Sequence, residues 1–304
     1  MRLSITNVHL DLGAGKRGTD MGPSAIHLAG LVPKLESMGH TIVDTKSCGI
    51  GLADVNDPRY PKARFLDEIH ETCAFIANRV KQATDDGQTP LVLGGDHSQA
   101  IGTLSGMTNH YKAKNQDIGV IWVDAHTDMN TPESSPSGNI HGMPLAALLG
   151  HGPKKLVELA GDSPALNPEK VVVFGARDVD ATEIPLVKEL GVRVYTMHEI
   201  DSRGTNICVA EAIERASDNT AGIHLSFDLD GVDPSHAPGV GTPVPGGLSL
   251  RESHLLCESI AATGKLIGME LVELNPVLDN KNVTGELAVW LIQSALGKTI
   301  LGLQ

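Results

Sequence analysis

Ile118-Gly119-Val120-Ile121-Trp122-Val123-Asp124-Ala125-His126-Thr127-Asp128 decides how this chain is read. Ile118 to Val123 form a continuous apolar, β-rich run, the pattern of a strand buried on both faces of a parallel sheet. The residues that follow put metal-capable side chains at every second position. In extended backbone alternate residues share a face, so Asp124, His126 and Asp128 are expected to point the same way. The triplet falls where the strand runs out, which is where open parallel sheets and barrels both build their sites.

Two further stretches repeat the arrangement. Ile223-His224-Leu225-Ser226-Phe227 leads into Asp228-Leu229-Asp230, and Leu91-Val92-Leu93-Gly94-Gly95-Asp96 leads into His97. Taken singly, each has a plain reading: His97 as a loop or core histidine, Asp228 and Asp230 as a turn or helix cap. Taken together, the strand ends gather four carboxylates and two imidazoles. Leaving so many charges clustered and unpaired is costly, and a divalent cation is the simplest neutraliser.

Outward from these stretches, strands are expected at Ser4–Leu10, Thr41–Thr45, Pro90–Leu93, Val171–Phe174, Val192–Thr196 and Leu266–Leu274, besides those ending at the triplet and at Asp228/Asp230. Helical spacing covers Pro23–Gly39, Ala63–Thr84, Gln99–Lys112, Ala181–Leu190, Ile207–Ser217, Leu250–Thr263 and Val283–Leu296, with short helices at Met143–Leu149 and Pro153–Leu159. Residues 46–62, 130–141 and 233–247 read as polar or Gly/Pro-rich loops. Strands alternating with helices predict a parallel sheet. Periodicity alone does not separate a barrel from an open sheet, although the uneven crossovers favour the latter. Gly13-Ala14-Gly15-Lys16-Arg17-Gly18 formally matches a dinucleotide fingerprint. That motif should open directly into a helix, whereas here a helix begins only near Pro23, so a loop beside the site is the better assignment.

The 304 residues carry no long linker or charge run, which predicts a single domain over 1–304. With 41% hydrophobic but only 3% aromatic residues, the core must be aliphatic. A formal net charge of −13 argues against nucleic acid or an anionic membrane as partner and suits a cationic small substrate. No apolar run reaches bilayer length, the N-terminus lacks a secretory pattern, and Cys48, Cys73, Cys208 and Cys257 form no C-x-x-C pair. A cytoplasmic protein with reduced thiols is the expectation.

Gly94-Gly95-Asp96-His97-Ser98, Asp124-Ala125-His126-Thr127-Asp128-Met129-Asn130 and Ser226-Phe227-Asp228-Leu229-Asp230-Gly231-Val232-Asp233-Pro234 resemble the three signatures of the ureohydrolases, and among these the chain is most similar to arginases. The resemblance runs from the N-terminal strand to the last helix. It implies an α/β fold, a three-layer αβα sandwich with an open, mainly parallel eight-stranded sheet. It also implies a single arginase catalytic domain that binds two Mn2+ ions per subunit. By the resemblance, one ion takes His97, Asp124, Asp128 and Asp228, and the other Asp124, His126, Asp228 and Asp230. Hard carboxylates and imidazoles suit Mn2+ better than a thiolate-preferring metal.

The implied activity is hydrolysis of L-arginine to L-ornithine and urea by a hydroxide held between the ions. The resemblance assigns Asp128 to hold the hydroxide and relay its proton, and His141 to shuttle or donate a proton. Read without it, His141 is a loop histidine. Glu273 corresponds to the carboxylate that grips the guanidinium, a geometry that suits both partners; its plain reading is an internal salt bridge. Glu270 falls on the other side of the register and reads as structural. Asn130, Ser135 and Ser137 match the loop that holds the α-carboxylate, Asp180 and Glu183 the α-amino carboxylates, and Thr242 a residue at the guanidinium end. Ser135 stands where threonine is often found, and both carry a hydroxyl. A homo-oligomer, trimer or hexamer, is implied, with Arg251 and Glu252 resembling a pair near the trimer contact. Other ureohydrolases acting on agmatine or a guanidino acid are the alternative, against which the Asn130–Ser137 loop counts. A non-catalytic metal-dependent binder has no use for His141 and Glu273, and a one-zinc deacetylase has none for His97.

Overall fold

The computed structural model describes residues 1–49, 59–161 and 164–301. Among them are β1 (Arg2–His9), β2 (Thr41–Gly49), β3 (Thr89–Leu93), β4 (Asp117–Val123), β5 (Val171–Ala176), β6 (Arg193–Thr196), β7 (Thr220–Asp228) and β8 (Leu266–Val272). They form one eight-stranded sheet in the order β2-β1-β3-β8-β7-β4-β5-β6, and every neighbouring pair is parallel. The helices are α1 (Gly22–Leu28), α2 (Leu31–Ser37), α3 (Leu66–Asp85), α4 (Ala100–Lys112), α5 (Pro144–Leu148), α6 (Lys154–Val157), α7 (Ile184–Leu190), α8 (Met197–Arg203), α9 (Thr205–Ser217), α10 (Leu250–Ala262) and α11 (Val283–Ala295).

Strand alternation creates two separate cores. Leu91, Leu93, Ile121, Val123, Val172 and Phe174 point to one face, where α1, α2 and α8 to α11 cover them. Val92, Val120, Trp122, Val171 and Val173 point to the other, under α3 to α7. A period of two in the strands and an apolar stripe on each helix therefore yield three layers, the αβα sandwich with an open sheet. Because β7 and β8 fill the gap between β3 and β4, the chain reverses its strand order at the centre. The loops on either side of that point leave a crevice at the carboxyl ends of the strands.

Several elements differ from the sequence expectation. The helix expected over Pro23–Gly39 is two, α1 and α2, because Gly30 takes a left-handed conformation (φ 84°) between them. β2 runs on to Gly49, and the rest of the loop expected over 46–62 lies largely outside the described residues. The seven-residue helix α8 has no counterpart in the expectation. Within the chain Arg251 pairs with Glu258 (3.2 Å), while Glu252 closes a capping box with Ser249 at the start of α10, so the two residues do not pair with each other. Among the described residues no helix is long and apolar enough to cross a membrane.

Candidate metal centre and active site

β4 ends at Val123, so Asp124 to Asp128 are not strand as the alternation implied. The backbone turns instead: the His126 N–H donates to Asp124 Oδ1 (2.7 Å), and Asp128 sits in the left-handed region (φ 52°). Glu273, just past β8, is also left-handed (φ 63°). Non-glycine residues rarely adopt this conformation, and it costs on the order of 1 kcal/mol or more.

These turns aim the side chains of three strand ends at one point. His97 Nδ1 lies 3.1, 3.0 and 3.2 Å from oxygens of Asp124, Asp128 and Asp228. His126 Nδ1 lies 3.2 Å from Asp124 Oδ1 and 3.2 Å from Asp230 Oδ2. Two groups result, His97/Asp124/Asp228 and Asp124/His126/Asp230, and Asp124 supplies one oxygen to each. Asp228 joins only the first group here; its other oxygen accepts from the Asp230 N–H (2.7 Å). All four carboxylates are buried. Burial and the charge of Asp124 push Asp128 up to about 7, and burial with the charges of Asp230 and Asp124 drives Asp228 well above its ordinary value. His97 Nδ1 and Asp128 Oδ2 are buried, and although 3.0 Å apart they are not aligned for a hydrogen bond. Hard donors crowded together and left unpaired fit a pair of divalent cations.

The imidazole of His97 is stacked on Trp122 (ring centroids 4.0 Å apart), and Trp122 Nε1 donates to Asp124 (3.0 Å). The far side of the His97 ring meets Ser226. Ser226 Oγ lies 2.9 Å from His97 Nε2 and 2.9 Å from Glu270 Oε1. Burial opposes ionisation of Glu270, but His224 beside it and His97 beyond hold it below the usual carboxylate value. An ionised carboxylate only accepts, so the single hydroxyl proton of Ser226 goes to Glu270 and its lone pair accepts from His97 Nε2–H. Burial opposes a charged His97, but Asp124, Asp128 and Asp228 outweigh it and hold His97 well above its ordinary value. With a cation among those carboxylates, a neutral imidazole donating from Nε2 would present Nδ1 as the ligating nitrogen. Glu270 thus lies under the site rather than away from it. The signal was in the sequence: His224, Ser226 and Asp228 alternate as polar residues on one face of a strand that is otherwise apolar.

Glu273 Oε1 accepts from the His97 backbone N–H (2.9 Å) and lies 3.2 Å from His141 Nδ1. Glu273 Oε2 is buried with no partner. Burial disfavours a charged His141, yet the hydrogen bond and charge of Glu273, with Asp96 and Asp128 beyond, outweigh it and push His141 up to about 9. Two connected cavities open above these groups. The inner, of about 130 Å3, is lined by Asp128, Asn130, Ser135, Ser137, Asp180 and Glu183 among others. The outer, of about 590 Å3, reaches Glu273, Lys16 and Asp178. His126, Asn139, His141 and Thr242 line both.

All of the expected substrate-contacting residues therefore meet at one crevice, but their partners differ. Ser135 Oγ and Ser137 Oγ accept backbone N–H groups (3.0 and 3.2 Å), which leaves each hydroxyl proton free to donate. Asn130 Nδ2 donates to Asp180 (2.9 Å), and Thr242 Oγ1 to Asp230 (2.9 Å). Glu183 is already committed: its oxygens accept from the backbone N–H groups of Met129 (3.0 Å) and Asp180 (2.9 Å). Lys16, Asn139 and Asp178 line the cavities without having been singled out, because loop residues carry no periodic signal.

Fold and site together define a metal-dependent α/β enzyme of the open-sheet, three-layer kind. The sequence profile described as Arginase family matches residues 1–297. The chain belongs to the arginase family. It is 48% identical over 299 residues to the arginase of Brevibacillus brevis, covering 98% of this chain and 99% of that one. A crystal structure of Bacillus subtilis arginase superposes with a TM-score of 0.90 at 46% identity, covering 99% and 100% of the two chains. Entamoeba histolytica arginase in complex with L-ornithine gives 0.88 at 32% identity, covering 98% and 99%.

Proposed function

We propose that this chain hydrolyses L-arginine to L-ornithine and urea with two Mn2+ ions. The observation that carries the reading is Glu273 Oε2, a buried carboxylate oxygen left without a partner beside two metal-capable groups. A planar guanidinium is the cation whose N–H groups best satisfy such an oxygen. His97, Asp124, Asp128 and Asp228 would hold one ion, and Asp124, His126, Asp228 and Asp230 the other. When bound, the ions acidify water to a nucleophile at neutral pH.

The chain's own residues do the rest. Glu273 fixes the guanidinium plane so that its carbon faces Asp128. Asp128 accepts the proton that leaves the attacking water. His141 returns a proton to the departing amine nitrogen, which breaks the C–N bond and releases L-ornithine. Ser135, Ser137 and Asn130 donate to the α-carboxylate. Asp180 accepts from the α-ammonium, while Glu183 acts at one remove by holding the backbone of Met129 and Asp180. The proposal includes a single catalytic domain over 1–304, a homo-oligomer (trimer or hexamer) and a cytoplasmic location.

The test is to strip metal, restore Mn2+ and assay urea from L-arginine and agmatine side by side. Metal-dependent urea from L-arginine alone is expected. Urea mainly from agmatine overturns the assignment of the Asn130–Ser137 loop, and urea from neither overturns the activity.

A further inference from the structure

His141 sits on a short turn, Ile140–Gly142, whose place over the site must be set by something other than a regular element. Its backbone N–H donates to the carbonyl of Gly13 (3.1 Å), in the Gly13–Gly18 loop that the sequence reading left without a function. That loop is itself tied down. The Gly13 N–H donates to Asp96 Oδ2 (2.8 Å), the Gly18 N–H to Asp11 (2.9 Å), Arg17 pairs with Asp11 (2.7 Å), and Asn275 Nδ2 donates to the Arg17 carbonyl (3.1 Å).

Asp96 is completely buried and precedes His97. Its second oxygen accepts from the N–H and hydroxyl of Ser98. An asparagine there has one acceptor oxygen and would turn an amide N–H2 towards a donor, so only a carboxylate serves Gly13 and Ser98 together. Gly13 is equally constrained: a Cβ on it would stand 2.5 Å from Asp96 Oδ1 and 2.9 Å from Ser98 Oγ. A buried carboxylate whose hydrogen bonds come from neutral donors is expensive to keep. Here it lies one hydrogen-bonded residue away from the backbone of the proposed proton donor.

We propose that Asp96 and Gly13 are positioning residues that clamp the backbone of His141 above the guanidinium site. The clamp rests on the proton-transfer reading of His141 given above. Its Gly13 end contacts neither the guanidinium site nor the metal-capable side chains, so a change there acts on the rate rather than on binding, whereas Asp96 also caps the turn that carries His97. A shift of about 1 Å at a proton-transfer group is enough to cost a large factor in rate.

The experiment is a double-mutant cycle on the Mn2+-loaded protein. Gly13→Ala, His141→Asn and the pair are compared for kcat and KM with L-arginine, and Mn2+ binding is measured by calorimetry on each. His141→Asn is expected to lower kcat about a hundredfold. Gly13→Ala alone is expected to lower kcat about tenfold with KM and Mn2+ affinity within twofold, and to cost less than twofold once His141 is gone. Equal losses from Gly13→Ala in both backgrounds, or a loss that falls on KM or on Mn2+ binding, overturns the clamp and leaves the role of His141 standing. Full activity of His141→Asn overturns that role, and the clamp's catalytic purpose with it. If Gly13→Ala does not fold, Asp96→Asn takes its place in the cycle, read as kcat at each variant's own pH optimum because Asp96 also acts by charge on His141 and caps the turn carrying His97. A loss that disappears at the shifted optimum, or that is equal in both backgrounds, overturns the clamp.

Discussion

The floor of the crevice and its rim are built in opposite ways. The floor comes from strand ends: Asp124, Asp228 and His97 are buried, and each is held by groups that are themselves buried, namely Trp122, the Asp230 N–H and Ser226. The rim comes from loops: Ser135, Ser137 and Asp180 are partly or fully exposed, and Asn130 and Asp180 satisfy each other. Charge that must be assembled in a fixed geometry sits where the sheet supplies rigidity. Groups that must release one partner and take another sit on loops. A rigid scaffold carrying adaptable loops is how one fold keeps its chemistry while changing its substrate.

The largest effect should come from the floor. Asp128→Asn is expected to lower kcat roughly a thousandfold with little change in the thermal midpoint, measured by urea release and by calorimetric unfolding; equal activity removes the proton relay. One layer further down, Ser226→Ala should weaken Mn2+ about ten- to a hundredfold by freeing the His97 tautomer, as partners of metal-binding histidines generally do. Titration calorimetry checks it, and unchanged affinity would sink the hydrogen-bond polarity argued above. At the rim, Ser137→Ala should raise KM for L-arginine about tenfold, the worth of one hydrogen bond to a charged group, and leave kcat within twofold. A rate loss without a KM change would mean that rim and floor are not separable.

The smallest effect concerns Asp233, which ties down the loop carrying Thr242. Hydrogen bonds from the Ser235 hydroxyl and the N–H groups of Ser235, Gly246 and Gly247 outweigh its desolvation and hold Asp233 well below the usual carboxylate value. A depressed carboxylate stabilises the fold above its unfolded value and loses that contribution as pH falls. The stability gap between the parent and Asp233→Asn in urea should therefore be present at neutral pH and shrink as pH drops below about 4. A gap independent of pH would show that the charge has no part in it.

The floor was also the more legible region. Buried strands advertise themselves as unbroken apolar runs, and the chemistry follows where each run stops, as at Val123/Asp124 and Phe227/Asp228. Alternation picked out Asp124, His126 and Asp128 even though the chain bends through them. It did so because the same residues are drawn together by the turn at His126 as would be by a strand. The rim was read from likeness to a family, and what that could not convey was who already holds whom. Glu183 looks like a ligand for an amine, and its oxygens already accept two backbone N–H groups, partners that leave no mark on side-chain pattern. The break between α1 and α2 had its mark in Gly30, whereas α8 buries only Met197 and Ile200, too few apolar positions to form a stripe.

The positive φ angles of Asp128 and Glu273 bear on which sequences this scaffold tolerates. Side chains branched at Cβ are excluded from the left-handed region on steric grounds, whatever their polarity. In a saturation library at either position, Val, Ile and Thr should be depleted from the folded fraction, while Gly, Asn and Asp persist even among inactive clones. The backbone would thus filter the alphabet at these two places before chemistry is consulted, and survivors sorted for folding alone would already be enriched in small polar residues.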